Sequence, residues 1–322
     1  MIILYNGDCL IESDKIESGS VDLILTDLPY GTVRDIKNVN HGMSGKCEWD
    51  TVVDTDKIMQ IANRILRKNG KMILFAQQPF SNELINKAIH NIPFSYSMIW
   101  EKDHFTNALV AKKAPVSYVE YVLVFSKTHD NLELHPLREY AKSILKFIGI
   151  NKKNIINKIG GRVDHFLRVN STQFSLCTNE TYMNLVEEFK LNKMNNYKSF
   201  DELQEINSVF NSVFNLWEGK KYKSNILRYK KDYDGFHPTQ KPVLLLEDLI
   251  KTFSNENDLV VDLTMGSGSC GVAAKNTSRN FIGIEMDKNY FQIAKNRITK
   301  AIQGSSLEIE LPKEDIEIDD LF

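Results

Sequence analysis

Residues Leu259-Val260-Val261-Asp262-Leu263-Thr264-Met265-Gly266-Ser267-Gly268-Ser269-Cys270-Gly271 run from an apolar, β-branched stretch straight into a G-x-G-x-x-G turn. A short apolar run ending in glycines reads as a buried strand, and the turn after it as the opening of a helix. The next apolar stretch, Phe281 to Ile284, ends in Glu285, 19 residues beyond Gly266. Strand, glycine turn, helix, strand and terminal carboxylate make a βαβ unit of the nucleotide-binding kind. Glycines let a ligand approach the backbone, the helix amino terminus favours a negative group, and the carboxylate can accept hydrogen bonds from both ribose hydroxyls. An adenosyl-bearing ligand is expected, with a dinucleotide-dependent oxidoreductase as the competing reading at this point.

Outward from that unit the pattern continues in both directions. Pro242 starts a helix with apolar residues at Val243, Leu246, Ile250 and Phe253, a one-face spacing, and a last helix turns Phe291, Ala294 and Ile298 inward. Far upstream, Ile2 to Tyr5, Val21 to Thr26, Lys71 to Ala76, Tyr96 to Trp100 and Tyr121 to Phe125 read as strands. Asp56 to Arg67 and Ser81 to His90 read as helices between them, the first closing at a C-cap on Asn69-Gly70. The fold class is α/β, a doubly wound, mostly parallel Rossmann-like sheet. Its nucleotide-binding unit stands at the carboxyl end of the chain rather than the amino end.

Between the two halves lies a stretch of different texture, rich in Asn, Lys and Ser with weak periodicity. The expected organisation is therefore 1–127, an insert at 128–232, and 233–322. The whole chain of 322 residues carries a formal charge of only −2, which by itself gives no reason to expect a polyanionic partner. Counted by segment, residues 128–231 hold 17 Lys and Arg against 11 Asp and Glu, or +6, while the last 20 residues carry −6. The net figure therefore hides a basic middle. No run approaches the roughly 18 to 20 apolar residues of a membrane span. The amino terminus lacks the basic region of a signal peptide, so a cytoplasmic location is expected. Cys9, Cys47, Cys177 and Cys270 show no metal-ligand spacing, and no metal site is expected.

A second motif narrows the chemistry. Asp27-Leu28-Pro29-Tyr30-Gly31 follows the strand Val21 to Thr26, which places it at the carboxyl edge of a parallel sheet. Pro29 holds Leu28 extended, leaving its carbonyl free beside the Asp27 carboxylate and the Tyr30 ring. Two acceptors and an aromatic face form a receptor for a planar base with an exocyclic amino group.

Together these motifs resemble the DNA amino-methyltransferases that use S-adenosylmethionine, in the order of their β class. That class has a catalytic (D/N/S)-P-P-(Y/F) motif first, a target-recognition insert next and the cofactor loop last, a circular permutation of the fold. Here the order is Asp27 to Tyr30, the insert, then Asp262 to Gly268. Asn6-Gly7-Asp8-Cys9, His237-Pro238-Thr239-Gln240-Lys241-Pro242, Trp100-Glu101-Lys102 and Glu120 to Phe125 resemble further family motifs. Gly31-Thr32, Lys46 to Asp50 and Gln78-Pro79-Phe80 are similar to the phage and prophage branch. The chain departs at Leu28, which replaces the first proline, and at Leu263-Thr264, where the family often has Pro-Phe.

The resemblance implies methyl transfer to the N6 amino group of adenine in duplex DNA by base flipping, with cytosine N4 as the alternative and RNA or protein glutamine as a further one. Aspartate at position 27 favours adenine, because cytosine-N4 enzymes more often carry serine there. Asp27, Leu28, Pro29 and Tyr30 would form the base site. Asp8, Cys9, Gln240, Lys241, Asp262, Thr264, Gly266, Ser267, Gly268, Ser269, Glu285 and Met286 would hold the cofactor. Lys112, Lys113 and the basic residues of the insert would meet DNA phosphates, with a steep dependence on salt. A homodimer and a cognate restriction enzyme stay open as partners. The loop Gly42 to Gly45 could close over the cleft, and the acidic tail could pack as an edge strand.

Overall fold

A computed structural model describes residues 1–29, 53–106, 111–128, 136–171, 174–208, 212–232 and 240–302. Tyr30, the loop Gly42 to Gly45, His237 to Thr239 and the acidic tail lie outside the described residues. The chain divides into two compact units, Met1–Asn131 with Val213–Phe322, and Leu132–Ser212.

The larger unit is built on one eight-stranded sheet. Its elements are β1 (Ile2–Asn6), α1 (Cys9–Glu12), β2 (Val21–Thr26), α2 (Thr55–Ile65), β3 (Leu66–Ala76), α3 (Phe80–Asn86), β4 (Phe94–Thr106) and β5 (Ser117–Ser126). The helices α4 (Pro136–Ile148), α5 (Lys152–Ile159), α6 (Asn179–Phe189) and α7 (Phe200–Ser208) belong to the smaller unit. The larger unit resumes with β6 (Ile226–Arg228), α8 (Val243–Phe253), β7 (Leu259–Asp262), α9 (Ser269–Asn276), β8 (Asn280–Glu285) and α10 (Lys288–Ile302). The strand order is β1-β8-β7-β2-β3-β5-β4-β6. β1, β8, β7, β2 and β3 are mutually parallel, and β5 runs antiparallel to β3 and β4.

Alternation along the central strands builds a core on each face of this sheet. Leu23, Leu25, Ile73 and Phe75 join α8, α9 and α10 residues such as Leu249, Ala273 and Ile298 in one core. Ile24, Met72, Leu74 and Ala76 pack with Ile58, Ala62 and Leu84 of α2 and α3 in the other. A strand buried on both faces reads as a continuous apolar run, as Leu23-Ile24-Leu25 does at the centre of β2.

Asn69-Gly70 does not cap a helix. α2 stops at Ile65, β3 begins at Leu66, and Asn69 sits inside that strand with φ 64°. The Asn69 amide donates to the Lys127 carbonyl at 2.9 Å, and the Lys127 amide donates to the Gly70 carbonyl at 3.0 Å. A Cβ on Gly70 would stand 3.1 Å from the Val21 and Asp22 carbonyls. The pair therefore forms a bulge where the β2–β3 register slips between Val21–Leu66 and Leu23–Lys71. Asn-Gly marks a left-handed backbone in either setting, and long-range pairing decides which.

The compact smaller unit is narrower than the expected insert. Its helices enclose their own core of Leu137, Ile144, Ile155, Phe166, Tyr182, Leu185 and Leu203. Inside it the Tyr140 and Tyr182 hydroxyls lie 2.7 Å apart, and Tyr182 donates to the Lys198 carbonyl at 2.7 Å. Residues 213–232 belong instead to the larger unit, where β6 extends the sheet beside β4. Asn215 donates to the Lys251 carbonyl at 3.1 Å, and Trp217 Nε1 donates to Asp248 at 2.9 Å, fixing this strap to α8.

Candidate active site

β2 and β7 are neighbours in the sheet, yet the chain leaves β2 toward β3 and leaves β7 toward β8 on the opposite side. Such a divergence opens a crevice beyond the carboxyl ends of the two strands. Asp27, Leu28 and Pro29 follow β2 directly, and Leu263 to Gly268 follow β7. Asp8 and Cys9 follow β1, and Glu285 ends β8. Residues from opposite ends of the chain thus converge on one sheet edge.

A short polar ladder ties the two motifs together. The Thr26 hydroxyl donates to Asp262 at 2.7 Å and lies 2.8 Å from the Thr264 hydroxyl, which in turn donates to the Asp27 carbonyl at 3.0 Å. Leu28 is buried, and among the described residues its carbonyl accepts no hydrogen bond. Lys241 pairs with the Asp27 carboxylate through Oδ2 and with Glu120 at 3.0 Å. Lys102 meets the other Glu120 oxygen at 2.7 Å.

On the β7 side, Glu285 is held by the Gly266 amide at 2.8 Å on one oxygen and by the Asp287 amide at 2.8 Å on the other. Burial pushes its carboxyl above the ordinary range, while those amide bonds pull it back. Each oxygen retains acceptor capacity for a hydroxyl. Gly266 has φ 51°, and a Cβ there would meet nothing within 4 Å among the described residues, so the turn presents bare backbone. Gln240 is buried, its Nε2 donor has no partner among the described residues, and its Oε1 lies 3.5 Å from Ser267 Oγ. An unpaired buried amide suits a carboxylate ligand end, and the Glu285 oxygens suit ribose hydroxyls. These residues fit the adenosyl cofactor that the sequence implies.

The other expected cofactor residues take varied positions. Asp8 caps α1 by accepting from the Leu10 amide at 2.9 Å. Cys9, the first residue of α1, is buried in the core, and burial raises its thiol to about 12, leaving it neutral and inert. Met286 is exposed at 56%. Lys241 pairs with the Asp27 carboxylate after β2. Lys112 and Lys113 are exposed between β4 and β5.

Sequence reasoning missed Arg297 of α10. Its Nη1 donates to the Ser267 carbonyl at 2.8 Å and to the hydroxyls of Ser267 and Ser269 at 3.0 and 3.2 Å, clamping the glycine turn from behind. An arginine one helix and one strand away carries no spacing signal.

Asp262 has a measurable consequence. Burial pushes its carboxyl up to about 7, against the pull of the Thr26 hydroxyl and Thr264 amide and with added repulsion from Asp27 and Glu285. An unfolded aspartate titrates near ~3.9. The native state therefore keeps this proton longer, and its contribution to stability falls as pH rises from about 4 to about 7. Asp262→Asn, neutral throughout, should gain stability on wild type by about 2–4 kcal/mol across that interval. Urea unfolding at pH 4.5 and 7.5 measures it; an unchanged difference between the two proteins would refute the burial account.

Residues 21–296 match the family described as DNA methylase, the N6/N4 methyltransferases. The type II methyltransferase M2.LlaDCHI of Lactococcus lactis subsp. cremoris is 37% identical over 92% of this chain and 89% of its own length. The DNA adenine methyltransferase YhdJ of Escherichia coli K12 is 26% identical over 95% of this chain and 85% of its own length. Among solved structures, the M1.HpyAVI–SAM complex aligns with a TM-score of 0.52 at 21% identity, covering 92% of this chain and 99% of that one. That similarity extends the doubly wound fold across most of the chain.

Proposed function

This chain belongs to the N6/N4 family of DNA methylases, and from that premise we propose that it methylates the N6 amino group of adenine at a specific site in duplex DNA. S-adenosylmethionine is the methyl donor, and when bound it supplies an electrophilic sulfonium methyl. The observation that carries the reading is the Asp27 carboxylate at the β2 edge, adjacent across the switch point to the open glycine turn after β7.

The target amine is a poor nucleophile because its lone pair is delocalised into the ring. Asp27 and the Leu28 carbonyl accept hydrogen bonds from its two N–H groups and draw the nitrogen toward sp³ geometry, freeing the lone pair; one of those protons leaves once the methyl group is bound to nitrogen. Such acceptors bind more tightly as positive charge develops on the amine, which is the condition for lowering the barrier. Reaching the amine requires extruding the base at a cost of a few kcal/mol. Tyr30 offsets that cost by stacking, worth about 1–3 kcal/mol.

Aspartate at position 27 and the similarity to a named adenine methyltransferase both support adenine. The relatives named type II methyltransferases support a place beside a restriction enzyme. Among the described residues no helix is long and apolar enough to cross a membrane.

The surface meant for phosphate is narrower than the insert as a whole. Residues 132–212 hold 11 Lys and Arg against 9 Asp and Glu, whereas the strap at 213–232 holds 6 against 2. Lys221, Tyr222 and Lys230 of that strap are exposed. Basic side chains interleaved with an exposed ring suit a phosphate backbone, so the catalytic unit itself carries much of the electrostatic contact.

Methylation-sensitive sequencing of DNA from cells lacking their own methylases and expressing this chain tests the function. N6-methyladenine within one short motif is expected. N4-methylcytosine instead would overturn the choice of base, and unmodified DNA despite folded, cofactor-binding protein would overturn the function.

A further inference from the structure

Trp100-Glu101-Lys102 and the glutamate opening Glu120 to Phe125 have no part in the chemistry so far. β4 and β5 pair antiparallel with Trp100 opposite Glu120, so Lys102, two residues beyond Trp100, rises on the same face. Its ammonium lies 5.0 Å from the Trp100 ring and 2.7 Å from Glu120. Glu120 bridges to Lys241 at 3.0 Å, Lys241 lies 5.1 Å from the Phe75 ring, and Lys241 pairs with Asp27. The side chains of Lys102, Glu120 and Lys241 are 3%, 4% and 9% exposed, against 25% for Asp27. Four alternating charges thus run from the antiparallel ribbon to the catalytic edge, and only the last of them reaches solvent appreciably.

We infer that Lys241 is a positioning residue for the Asp27 carboxylate, anchored by Glu120 and Lys102, and that it is not part of the grip on the cofactor's methionine end. The inference rests on the proposed assignment of Asp27 to the target amine. Burying ion pairs costs desolvation that apolar packing would avoid, so the row is a poor device for stability alone. Its geometry does something else. Lys241 engages Oδ2 of Asp27, which fixes the carboxylate's orientation while leaving it acceptor capacity for an amino group. Glu120 neutralises the ammonium, so the cation that orients Asp27 adds little net positive charge beside an amine that becomes positive during transfer.

The charged groups facing this row give the two ends opposite signatures. Asp27 faces Lys241 and senses Asp262 of β7. Lys241 also faces Glu120, and Lys231 stands near Lys102 and Lys241. Removing the Lys241 cation raises the Asp27 pKa, so in Lys241→Met the acidic limb of kcat should move up by about one pH unit. Removing the Glu120 charge leaves Lys241 wholly to Asp27, so in Glu120→Gln the limb should stay or move down while kcat falls about tenfold to a hundredfold. Lys241→Met should lose at least as much rate, with cofactor Kd within about threefold of wild type by calorimetry.

A tenfold weaker cofactor affinity with an unmoved limb in Lys241→Met would overturn the inference and return Lys241 to the cofactor site. Should Lys241→Met not fold, a limb moving upward in the near-isosteric Glu120→Gln would also overturn it. A thermal double-mutant cycle of Asp27→Asn with Lys241→Met needs no activity. The double variant should lose less Tm than the two single losses added, and simple additivity would refute the pairing. If wild-type protein modified no DNA, the assignment of Asp27 would fail while the cycle still reported on the pair.

Discussion

Asp27→Ala is expected to lower methyl transfer by about 10³-fold or more, equivalent to roughly 4 kcal/mol of lost barrier reduction. The side chain pairs with Lys241. Its loss leaves Lys241 paired with Glu120, so the fold and the cofactor site should persist. Cofactor Kd should change by no more than a few-fold, and the loss should fall on kcat rather than on KM. Asp27→Asn retains an acceptor oxygen without the charge and should lie between wild type and alanine. Single-turnover transfer from labelled cofactor measures all three; residual activity within tenfold of wild type in Asp27→Ala would remove this residue from the chemistry.

The two glycines of the turn should separate in a second experiment. Gly268 sits at φ 82°, and a Cβ there would lie 2.8 Å from the Cβ and 2.9 Å from the Cα of Ala294 on α10. Gly268→Ala therefore pays for a left-handed backbone and for pushing a packed helix away, together about 2–5 kcal/mol. Thermal unfolding should show a large drop in Tm, and cofactor affinity should be lost with it. Gly266 sits at φ 51°, and among the described residues nothing lies within 4 Å of where a Cβ would go. Gly266→Ala should cost only the backbone strain, about 1–2 kcal/mol, while its methyl intrudes on the ligand. Cofactor Kd should rise tenfold or more with a small change in Tm. Equal effects of the two substitutions on Tm would contradict these assignments.

Several features were legible because they are local. Val21 to Thr26 is legible because its centre, Leu23-Ile24-Leu25, is the continuous apolar run of a strand buried on both faces. The turn Gly266 to Gly271 and the carboxylate of Glu285 were readable because backbone freedom and spacing along a βαβ unit are properties of consecutive residues. Asn69-Gly70 shows the boundary of that approach: its left-handed backbone was visible, but its use as a strand bulge depends on Lys127, 58 residues on from Asn69. The carboxyl end of the compact smaller unit is hidden in the sequence for a similar reason. The basic strap at 213–232 has the composition of its neighbours, and only its bonds to α8 and the pairing of β6 with β4 place it with the sheet.

By itself the amino-acid sequence determined the α/β class, the glycine turn toward the carboxyl end of the chain and the Asp27 motif at the carboxyl edge of a strand. Those follow from periodicity, glycine placement and proline, which constrain the chain within a few residues. That the two loops meet at one switch point follows from the strand order. Which cation stands against Asp27 was decided only by tertiary structure. Lys241 lies 214 residues from Asp27 and directly beside Gln240, so sequence adjacency assigned it to the cofactor. Folding places β5 one strand beyond β3 in the same sheet as β2, and there Glu120 and Asp27 together give the buried Lys241 ammonium a pair of carboxylates in place of water.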